Sequence, residues 1–170
     1  MLPQSPFRRE VLLLVIMTEL RRINEGDRDF FISLQENEKV TRGTGRSLPA
    51  SELFDYYIDR EYSYIVLYEG KKAGFAAFYR NSMTDSFEHL KIAEVTYALM
   101  PEQWGRGIGT EAMDLLLKEA GKAGFDCVLA GAFTDNPASG CILRKKGIRI
   151  FSRFYGDREE EIFLITQNRY

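Results

Sequence analysis

A glycine-rich stretch between two regular elements carries the clearest chemical signal in this 170-residue chain. It holds Gly105, Gly107 and Gly109 at alternate positions, directly before Thr110. Glycines let the backbone approach a ligand closely and turn without a Cβ clash. A helical pattern begins at Ile108, so the unpaired amides of a first helical turn and the positive end of its dipole meet here. Such a place suits a phosphate or a pyrophosphate.

Two commoner phosphate motifs do not fit this stretch. A P-loop has four residues between its glycines and then Lys-Ser or Lys-Thr, and the dinucleotide fingerprint has G-x-G-x-x-G early in a βαβ unit. Neither spacing occurs here. By itself the glycine motif is equally compatible with a plain turn ahead of a packed helix, so the interpretation depends on what surrounds it.

A second motif in the last third of the chain supplies that context. It begins with Asn-x-x-Ser and continues with an apolar pair, Lys-x-Gly and a further apolar residue. The proline after the asparagine occupies an early helix position, which proline tolerates. We predict a helix here that ends before the glycine. The residues of the motif are Asn136, Ser139, Ile142, Leu143, Lys145, Gly147 and Ile148.

Together the two motifs resemble the GNAT superfamily of acetyl-CoA-dependent N-acetyltransferases. The pyrophosphate loop of that family has the pattern Arg/Gln-x-x-Gly-x-Gly/Ala. Gly107 and Gly109 match its glycines, whereas Trp104 stands where Arg or Gln is usual. The surrounding run, Pro-Glu, Trp-Gly-x-Gly and Thr-Glu-Ala, is similar to the branch that includes the ribosomal-protein N-terminal acetyltransferases (RimJ/RimL) and the spermidine acetyltransferases. The resemblance covers residues 17–168.

The resemblance implies an α/β (α+β) fold. It implies a mixed, twisted sheet of about seven strands with helices on both faces and a splay between strands 4 and 5. We expect a bulge to interrupt the pairing there. The pantetheine amides of the cofactor would then pair with the freed strand edge. Residues 1–16 are predicted to be an N-terminal extension, and residues 17–170 the acetyltransferase domain.

The resemblance also implies acetyl-CoA as co-substrate and assigns its contacts. A backbone amide near Leu99 would hold the tetrahedral oxyanion. A basic run from Arg144 to Arg153 is a further candidate for the 3′-phosphate, although such runs are usually only solvated. The predicted cofactor-binding residues are Tyr97, Ala98, Leu99, Trp104, Gly105, Arg106, Gly107, Ile108, Gly109, Thr110, Asn136 and Ser139.

The implied chemistry is acyl transfer from a thioester to an amine. The attacking amine must be neutral, yet reference pKa values are about 8 for an α-amine and about 10.4 for an alkylamine. A base therefore helps, and Glu94 on the preceding strand is the first candidate. Its plainer role is that of a solvent-facing residue or a partner for an arginine. His89, in a polar loop, carries less weight as a catalytic group.

The tyrosine that acts as general acid in many members of the family is missing from this chain. Many family members carry a Tyr that protonates the departing thiolate at the position of Leu143, and leucine cannot donate a proton. A thiol is a tolerable leaving group near neutral pH. Water or Ser139 can take over the role, and Ser139 can equally be a helix-capping residue.

Apolar periodicity and turn residues predict the elements that position these groups. Asp27 is expected to cap the first helix and Ser51 the second, with a polar loop over 39–49 between them. Alternation along the strand before the glycines places Glu94 and Ala98 on one face and Tyr97 and Leu99 on the other. The predicted helices are 27–37, 51–58, 108–121 and 136–146, and the predicted strands are 62–68, 73–79, 92–100, 126–132, 148–155 and 161–166. The resemblance implies a further first strand at 20–23.

Composition limits the remaining possibilities. A length of 170 residues with 45% hydrophobic content fits one domain. Cys127 and Cys141 lack metal-ligand spacing and read as buried thiols, so we expect no metal site and a reducing, cytoplasmic location. The apolar run 11–17 is too short to span a membrane. A monomer or a homodimer is expected, since an edge strand near the C terminus can pair with another copy.

Three functions stay open at this stage. The first is an N-acetyltransferase that acts on a small-molecule or peptide amine through a ternary complex with a general base. The second is a catalytically silent acyl-CoA sensor of the same fold. The third, a nucleic-acid-binding protein, is disfavoured because the net charge is −2 and no concentrated basic face can be assembled.

Overall fold

The computed structural model describes residues 17–45, 48–80 and 89–167 and contains one sheet of seven strands. The strand order is β1-β2-β3-β4-β5-β7-β6, and only the β4–β5 pair is parallel. This confirms the predicted mixed sheet. The strands are β1 Thr18–Arg22, β2 Ser63–Tyr68, β3 Lys71–Arg80, β4 Ile92–Leu99, β5 Cys127–Phe133, β6 Ile148–Tyr155 and β7 Arg158–Thr166.

Among the described residues five α-helices form, one more than predicted, and they cover both faces of the sheet as expected. One core lies under α4 and α5 and includes the fully buried Leu116 and Leu143. The other lies under α1, α2 and α3 and includes the fully buried Phe31 and Phe54. The helices are α1 Arg28–Glu36, α2 Glu38–Thr44, α3 Ala50–Ile58, α4 Ile108–Lys122 and α5 Pro137–Lys146.

The polar loop predicted over 39–49 is wrong, because α2 occupies most of it. The side chain of Asn37 caps this helix by accepting hydrogen bonds from the backbone N–H groups of Lys39 and Val40. Gly45 ends it in the left-handed region at φ 64°. Only Val40 of this short helix is buried, so the segment shows little of the apolar periodicity by which longer helices are recognised.

Neither predicted N-cap side chain makes a capping hydrogen bond to its helix, although Asp27 does occupy the N-cap position of α1. Ser51 lies inside α3, whose N-cap residue is Pro49 and has no side-chain hydrogen bond. Asp27 precedes α1 but its carboxylate turns back toward the chain before it. There it accepts from the backbone N–H of Asn24 at 2.9 Å, closing a capping box on a short 3₁₀ turn.

Asp27 is a buried carboxylate held by cations from two strands. Its side chain is 1% exposed and contacts the guanidinium of Arg21 at 2.7 Å and Nζ of Lys72 at 2.8 Å. Burial by itself would raise the pKa of Asp27, but hydrogen bonds from Arg21, Lys72 and the Asn24 backbone lower it to about 2. The ionised side chain thus joins β1 to the β2–β3 hairpin.

Asp27→Asn is expected to lower the free energy of unfolding at pH 7 by about 3 kcal/mol, because it leaves buried donors with a weaker acceptor. The folded pKa lies below the unfolded one, so this stabilisation is present above the unfolded pKa and is lost as pH falls toward 2. Urea unfolding at several pH values measures both effects. Asp55→Asn, which removes an exposed ion pair with Arg28, is the control and should change little. Equal losses in both variants would contradict the prediction.

Strands β4 and β5 separate after three paired residues. Their parallel pairing runs only from Ile92 with Cys127 to Glu94 with Leu129. The splay predicted between strands 4 and 5 is therefore present. The bulge expected to cause it is not, because β3 and β4 keep an unbroken register from Arg80 with Ala93 to Gly74 with Leu99.

Strand β6 forms one edge of the sheet and exposes large apolar side chains, with Ile148 and Phe154 each 67% exposed. Within the described residues, no helix is long and apolar enough to cross a membrane. The predicted extension over 1–16 and most of the polar loop before β4 lie outside the described residues.

Candidate active site

The glycine-rich stretch forms a turn that opens directly into α4. Gly105 and Gly107 adopt φ values of 72° and 79°, the left-handed region that glycine tolerates best. The first helical hydrogen bond runs from Glu111 N–H to Gly107 O at 3.1 Å. The amides of Ile108, Gly109 and Thr110 precede it and have no partner inside the helix. They can donate to an anion, as the sequence predicted.

Trp104 fastens this turn to the end of β4. Its indole Nε1–H donates to the carbonyl oxygen of Leu99 at 3.0 Å, and the residue remains 49% exposed. The tryptophan that replaces the usual Arg or Gln therefore has a defined structural contact. It links the turn to the strand edge beside the splay.

The free edge of β4 presents backbone groups to the splay. Met100 N–H donates to Ala73 O on β3 at 2.9 Å. Backbone N–H groups alternate in direction along a strand, so those of Leu99 and Tyr97 point away from β3, toward β5. Pairing with β5 has already ended at Glu94. The Leu99 amide therefore faces the splay, and its role as the oxyanion donor stays a prediction.

Helix α5 closes the other side of the splay. The side chain of Asn136 caps it by accepting from the Ser139 N–H at 3.4 Å. The Ser139 hydroxyl lies 2.9 Å from the hydroxyl of Tyr97 on β4. Leu143 is fully buried in the core under the helix. No proton donor exists at that position.

Glu94 lies at the point where β4 and β5 part. Its carboxylate is 3.7 Å from Nη2 of Arg153. Arg153 Nε also donates to Glu160 at 2.5 Å, so one arginine bridges two carboxylates. A Cβ added to Gly131 would collide with the carboxylate of Glu160, so a larger residue on β5 here would displace the end of that side chain.

Tyr57 and Tyr79 lie near Glu94 on the face of the sheet covered by α1–α3. Burial raises the pKa of Tyr57 to about 12, with smaller contributions from Tyr56 and from Glu94. Burial likewise raises the pKa of Tyr79, and the negative charge of Glu94 adds to the shift. Both phenols therefore stay protonated at neutral pH and can act as hydrogen-bond donors or acceptors.

One open cleft of about 1660 Å³ connects these groups. It runs from the glycine turn along the β4 edge to Glu94 and on to the β6–β7 hairpin. Arg106 is the exception among the predicted residues: its guanidinium lies over the ring of Tyr68 at 4.9 Å and donates to Gln103. The predicted residues that line the cleft are Glu94, Tyr97, Ala98, Leu99, Trp104, Gly105, Gly107, Ile108, Gly109, Thr110, Asn136 and Ser139.

The end of the cleft beside the β6–β7 hairpin contains residues that sequence reasoning missed. Arg158 donates to Asp135 at 2.8 and 3.0 Å and to the carbonyl of Arg42 at 2.6 Å, and it lies over the Phe133 ring at 3.8 Å. It thereby joins β7, the end of β5 and the unpredicted helix α2. No spacing within the sequence links these three segments, so only the fold reveals the contact.

The predicted basic run contacts acidic side chains of this chain. Arg144 and Arg149 pair with Glu161, Lys146 pairs with Asp114, and Arg153 pairs with Glu160 and Glu94. Most of its charge is thus neutralised locally. His89 is exposed and is absent from the residues lining the cleft.

Comparison with known proteins decides the family. Residues 18–149 match the model of the acetyltransferase (GNAT) domain. The chain belongs to the GNAT acetyltransferase family. Its membership makes it an acyltransferase, and acetyl-CoA is the co-substrate of the family.

Individual relatives of this GNAT chain agree with that assignment. The uncharacterized N-acetyltransferase YoaA of Bacillus subtilis (strain 168) is 28% identical over 140 residues, 76% of this chain and 78% of YoaA. The structure of yncA from Salmonella typhimurium with its cofactor acetyl-CoA has a TM-score of 0.73 at 17% identity, covering 91% and 96% of the two chains. A Salmonella typhimurium acetyl transferase that modifies the N-terminal serine of ribosomal protein L7/L12 has a TM-score of 0.70 at 17% identity, covering 89% and 95%.

Gly107→Ala is expected to weaken CoA binding about tenfold, because a Cβ at φ 79° strains the turn that aims the helix amides. Isothermal titration calorimetry with CoA measures the loss. Gly70→Ala is the matched control: its φ is 77°, and neither added Cβ meets another atom within 4 Å. The two variants should lose similar thermal stability, and only Gly107→Ala should lose affinity. Equal CoA affinity in the two variants would show that the glycine turn does not contribute to CoA binding.

Proposed function

We propose that this protein moves an acetyl group from acetyl-CoA to a primary amine by direct attack in a ternary complex. The observation that carries the proposal is a single cleft in which free helix amides, an unpaired strand edge and Glu94 follow one another. The first element suits a diphosphate. The second suits the pantetheine amides, which can pair as an added strand. The third lies where an acceptor amine would meet the thioester.

Each chemical step has a residue in the proposed arrangement. Glu94, directly or through a water molecule, takes a proton from the ammonium group of the acceptor, so that a neutral nitrogen attacks. The N–H of Leu99 donates to the carbonyl oxygen as it becomes negative. The carbon–sulfur bond then breaks and its electron pair stays on sulfur. A thiolate leaves readily, since the reference pKa of a thiol is about 8.5.

We propose a cationic amine as the acceptor. Glu94, Glu160 and Arg153 together carry one net negative charge beside the splay, which favours an incoming ammonium group. A protein or peptide N-terminus and a small polyamine both meet this requirement. The Pro-Glu and Thr-Glu-Ala segments around the glycine turn support the RimJ/RimL-like branch, in which both kinds of acceptor occur.

The cellular setting is part of the proposal. Cys127 is a buried free thiol and Cys141 an exposed one, so the predicted burial of Cys141 is wrong. Two free thiols fit a reducing cytoplasm. The exposed apolar side chains on the edge strand β6 are compatible with a monomer or with a homodimer formed along that edge.

A catalytically silent acyl-CoA sensor is the second candidate. The buried aliphatic Leu143 at the position of the usual donor favours it. An acetyl-transfer screen against pooled peptides, polyamines and amino sugars, run beside a CoA-binding titration, tests both functions. Binding with transfer to at least one amine supports the enzyme, whereas binding without transfer across the panel supports the sensor. Absence of CoA binding would contradict both.

A further inference from the structure

A pair of hydroxyl groups inside the cleft joins β4 to α5. Tyr97 lies on the part of β4 beyond its pairing with β5, and Ser139 lies in the first turn of α5. Their side-chain oxygens are 2.9 Å apart. A Cβ added to Gly109 would be 3.9 Å from Tyr97 Cε2, so the ring also borders the first turn of α4. The pair therefore lies between the phosphate-binding turn and the open strand edge.

The chemistry of the two groups indicates the direction of this hydrogen bond. A phenol is a better donor than an aliphatic hydroxyl, because it is the stronger acid. Burial raises the pKa of Tyr97, although the hydrogen bond with Ser139 opposes the shift, so the phenol keeps its proton at neutral pH. Tyr97 then donates and Ser139 accepts. The hydrogen of Ser139 is left free to point toward a ligand in the cleft.

We propose that Tyr97 is a positioning residue, which orients the Ser139 hydroxyl so that it donates a hydrogen bond to the sulfur of departing CoA. This inference rests on the proposed function. When the nitrogen–carbon bond has formed and the carbon–sulfur bond breaks, the electron pair stays on sulfur, and the Ser139 hydrogen bond stabilises that charge. The acceptor nitrogen gives up two protons in all: one passes to Glu94 before the attack and from there to solvent, and the second passes to water as the amide forms. The thiolate takes a proton from water on release.

The Tyr97–Ser139 pair lies close to the helix position at which many relatives carry a proton donor. Leu143 is fully buried and aliphatic, so the helix position that carries the donor in many relatives has none here. Ser139 is one turn earlier on the same helix and lines the cleft. Its backbone N–H is held by Asn136 and its hydroxyl by Tyr97. Both ends of the serine are thus fixed before a ligand arrives.

A double-mutant cycle tests the coupling. Tyr97→Phe and Ser139→Ala are each expected to lower kcat about tenfold, the loss expected for one hydrogen bond to a developing charge. KM for acetyl-CoA and the affinity for CoA should stay unchanged. The double variant should be no slower than Ser139→Ala, because both changes remove the same interaction. Tyr64→Phe, which removes a part-buried hydroxyl outside the cleft, should keep full activity.

A second readout does not depend on turnover. Ultraviolet absorbance of the thiolate reports the ionisation of CoA bound to the protein as pH is raised. Wild type should ionise bound CoA at a lower pH than Tyr97→Phe, by about one pKa unit, equivalent to the tenfold loss in kcat. Identical titrations, or additive effects on kcat, would overturn the role of Tyr97. If the wild type binds CoA but transfers no acetyl group, the proposed function is wrong. The titration of bound CoA still tests the positioning role of Tyr97 in that case, because it needs no turnover.

Discussion

Replacing Glu94 with glutamine is expected to lower kcat/KM at neutral pH by about a hundredfold, the usual worth of a general base. An alkylamine has a reference pKa of about 10.4, so at neutral pH almost every acceptor arrives protonated. The loss should therefore shrink as pH rises and the acceptor becomes neutral without help. Steady-state rates of wild type and Glu94→Gln between neutral pH and the acceptor pKa measure this convergence.

Glu160→Gln is the informative comparison for Glu94→Gln. Glu160 is the other carboxylate on Arg153, and it contacts that arginine at 2.5 Å against 3.7 Å for Glu94. Its removal should raise KM for a cationic acceptor more than it lowers kcat, since its proposed role is electrostatic. A large kcat loss in Glu160→Gln with a nearly normal Glu94→Gln would show that the base had been assigned to the wrong carboxylate.

Leu99→Pro is expected to lower kcat about a hundredfold, because it removes the one backbone donor proposed for the oxyanion. The substitution is compatible with the strand, since the Leu99 N–H points away from β3, and Met100 keeps its hydrogen bond to Ala73. CoA affinity should fall far less than kcat, because the amides of the α4 first turn are untouched. Steady-state kinetics and calorimetry separate the two effects.

Leu99→Val is the matched control for Leu99→Pro. It also shortens a buried side chain, 8% exposed in the wild type, but it retains the backbone N–H. Its thermal stability is compared directly with that of the proline variant. If Leu99→Val were as slow as Leu99→Pro at equal stability, packing of the side chain rather than the amide would explain the loss.

The longer helices and strands and the two glycine-containing motifs were predictable because each has a local physical cause. The β2–β3 connection is an example. The predicted strands 62–68 and 73–79 left four residues for it, whereas Glu69 and Gly70 alone form the turn, at φ 51° and 77°. Gly147 is another, since an added Cβ there would meet the carbonyl oxygen of Leu164 at 2.4 Å. The glycine of the second motif is thus explained by close packing against the backbone of β7.

Failures of prediction arose where distant segments decide the outcome. Asp27 looked like a helix cap, yet Lys72 on another strand and Arg21 on β1 draw its carboxylate away from α1. Helix α2 is short and nearly all exposed, so its sequence lacks the periodicity of a packed helix.

At the site, local reasoning found the helix amides and the strand but not the ion pairs at the β6–β7 end of the cleft. The Arg153 bridge between Glu94 and Glu160 joins β4, β6 and β7. Strand β4 lies far from the β6–β7 hairpin in sequence, and only the sheet order brings Glu94 close to Arg153. Arg106, chosen because it lies within the glycine turn, contacts Tyr68 instead of the cleft. Its proximity in sequence gave no information about the direction of its side chain.

The most direct test of the central claim is an NMR titration of the ¹⁵N-labelled protein with CoA. If bare amides at the start of α4 hold the diphosphate, the resonances of Ile108, Gly109 and Thr110 should show the largest shifts. S-acetyl-pantetheine, which lacks the diphosphate, should leave them nearly unmoved while still shifting Leu99 on the β4 edge. No shift at the start of α4 with saturating CoA, or equal shifts with both ligands, would contradict the proposed binding mode.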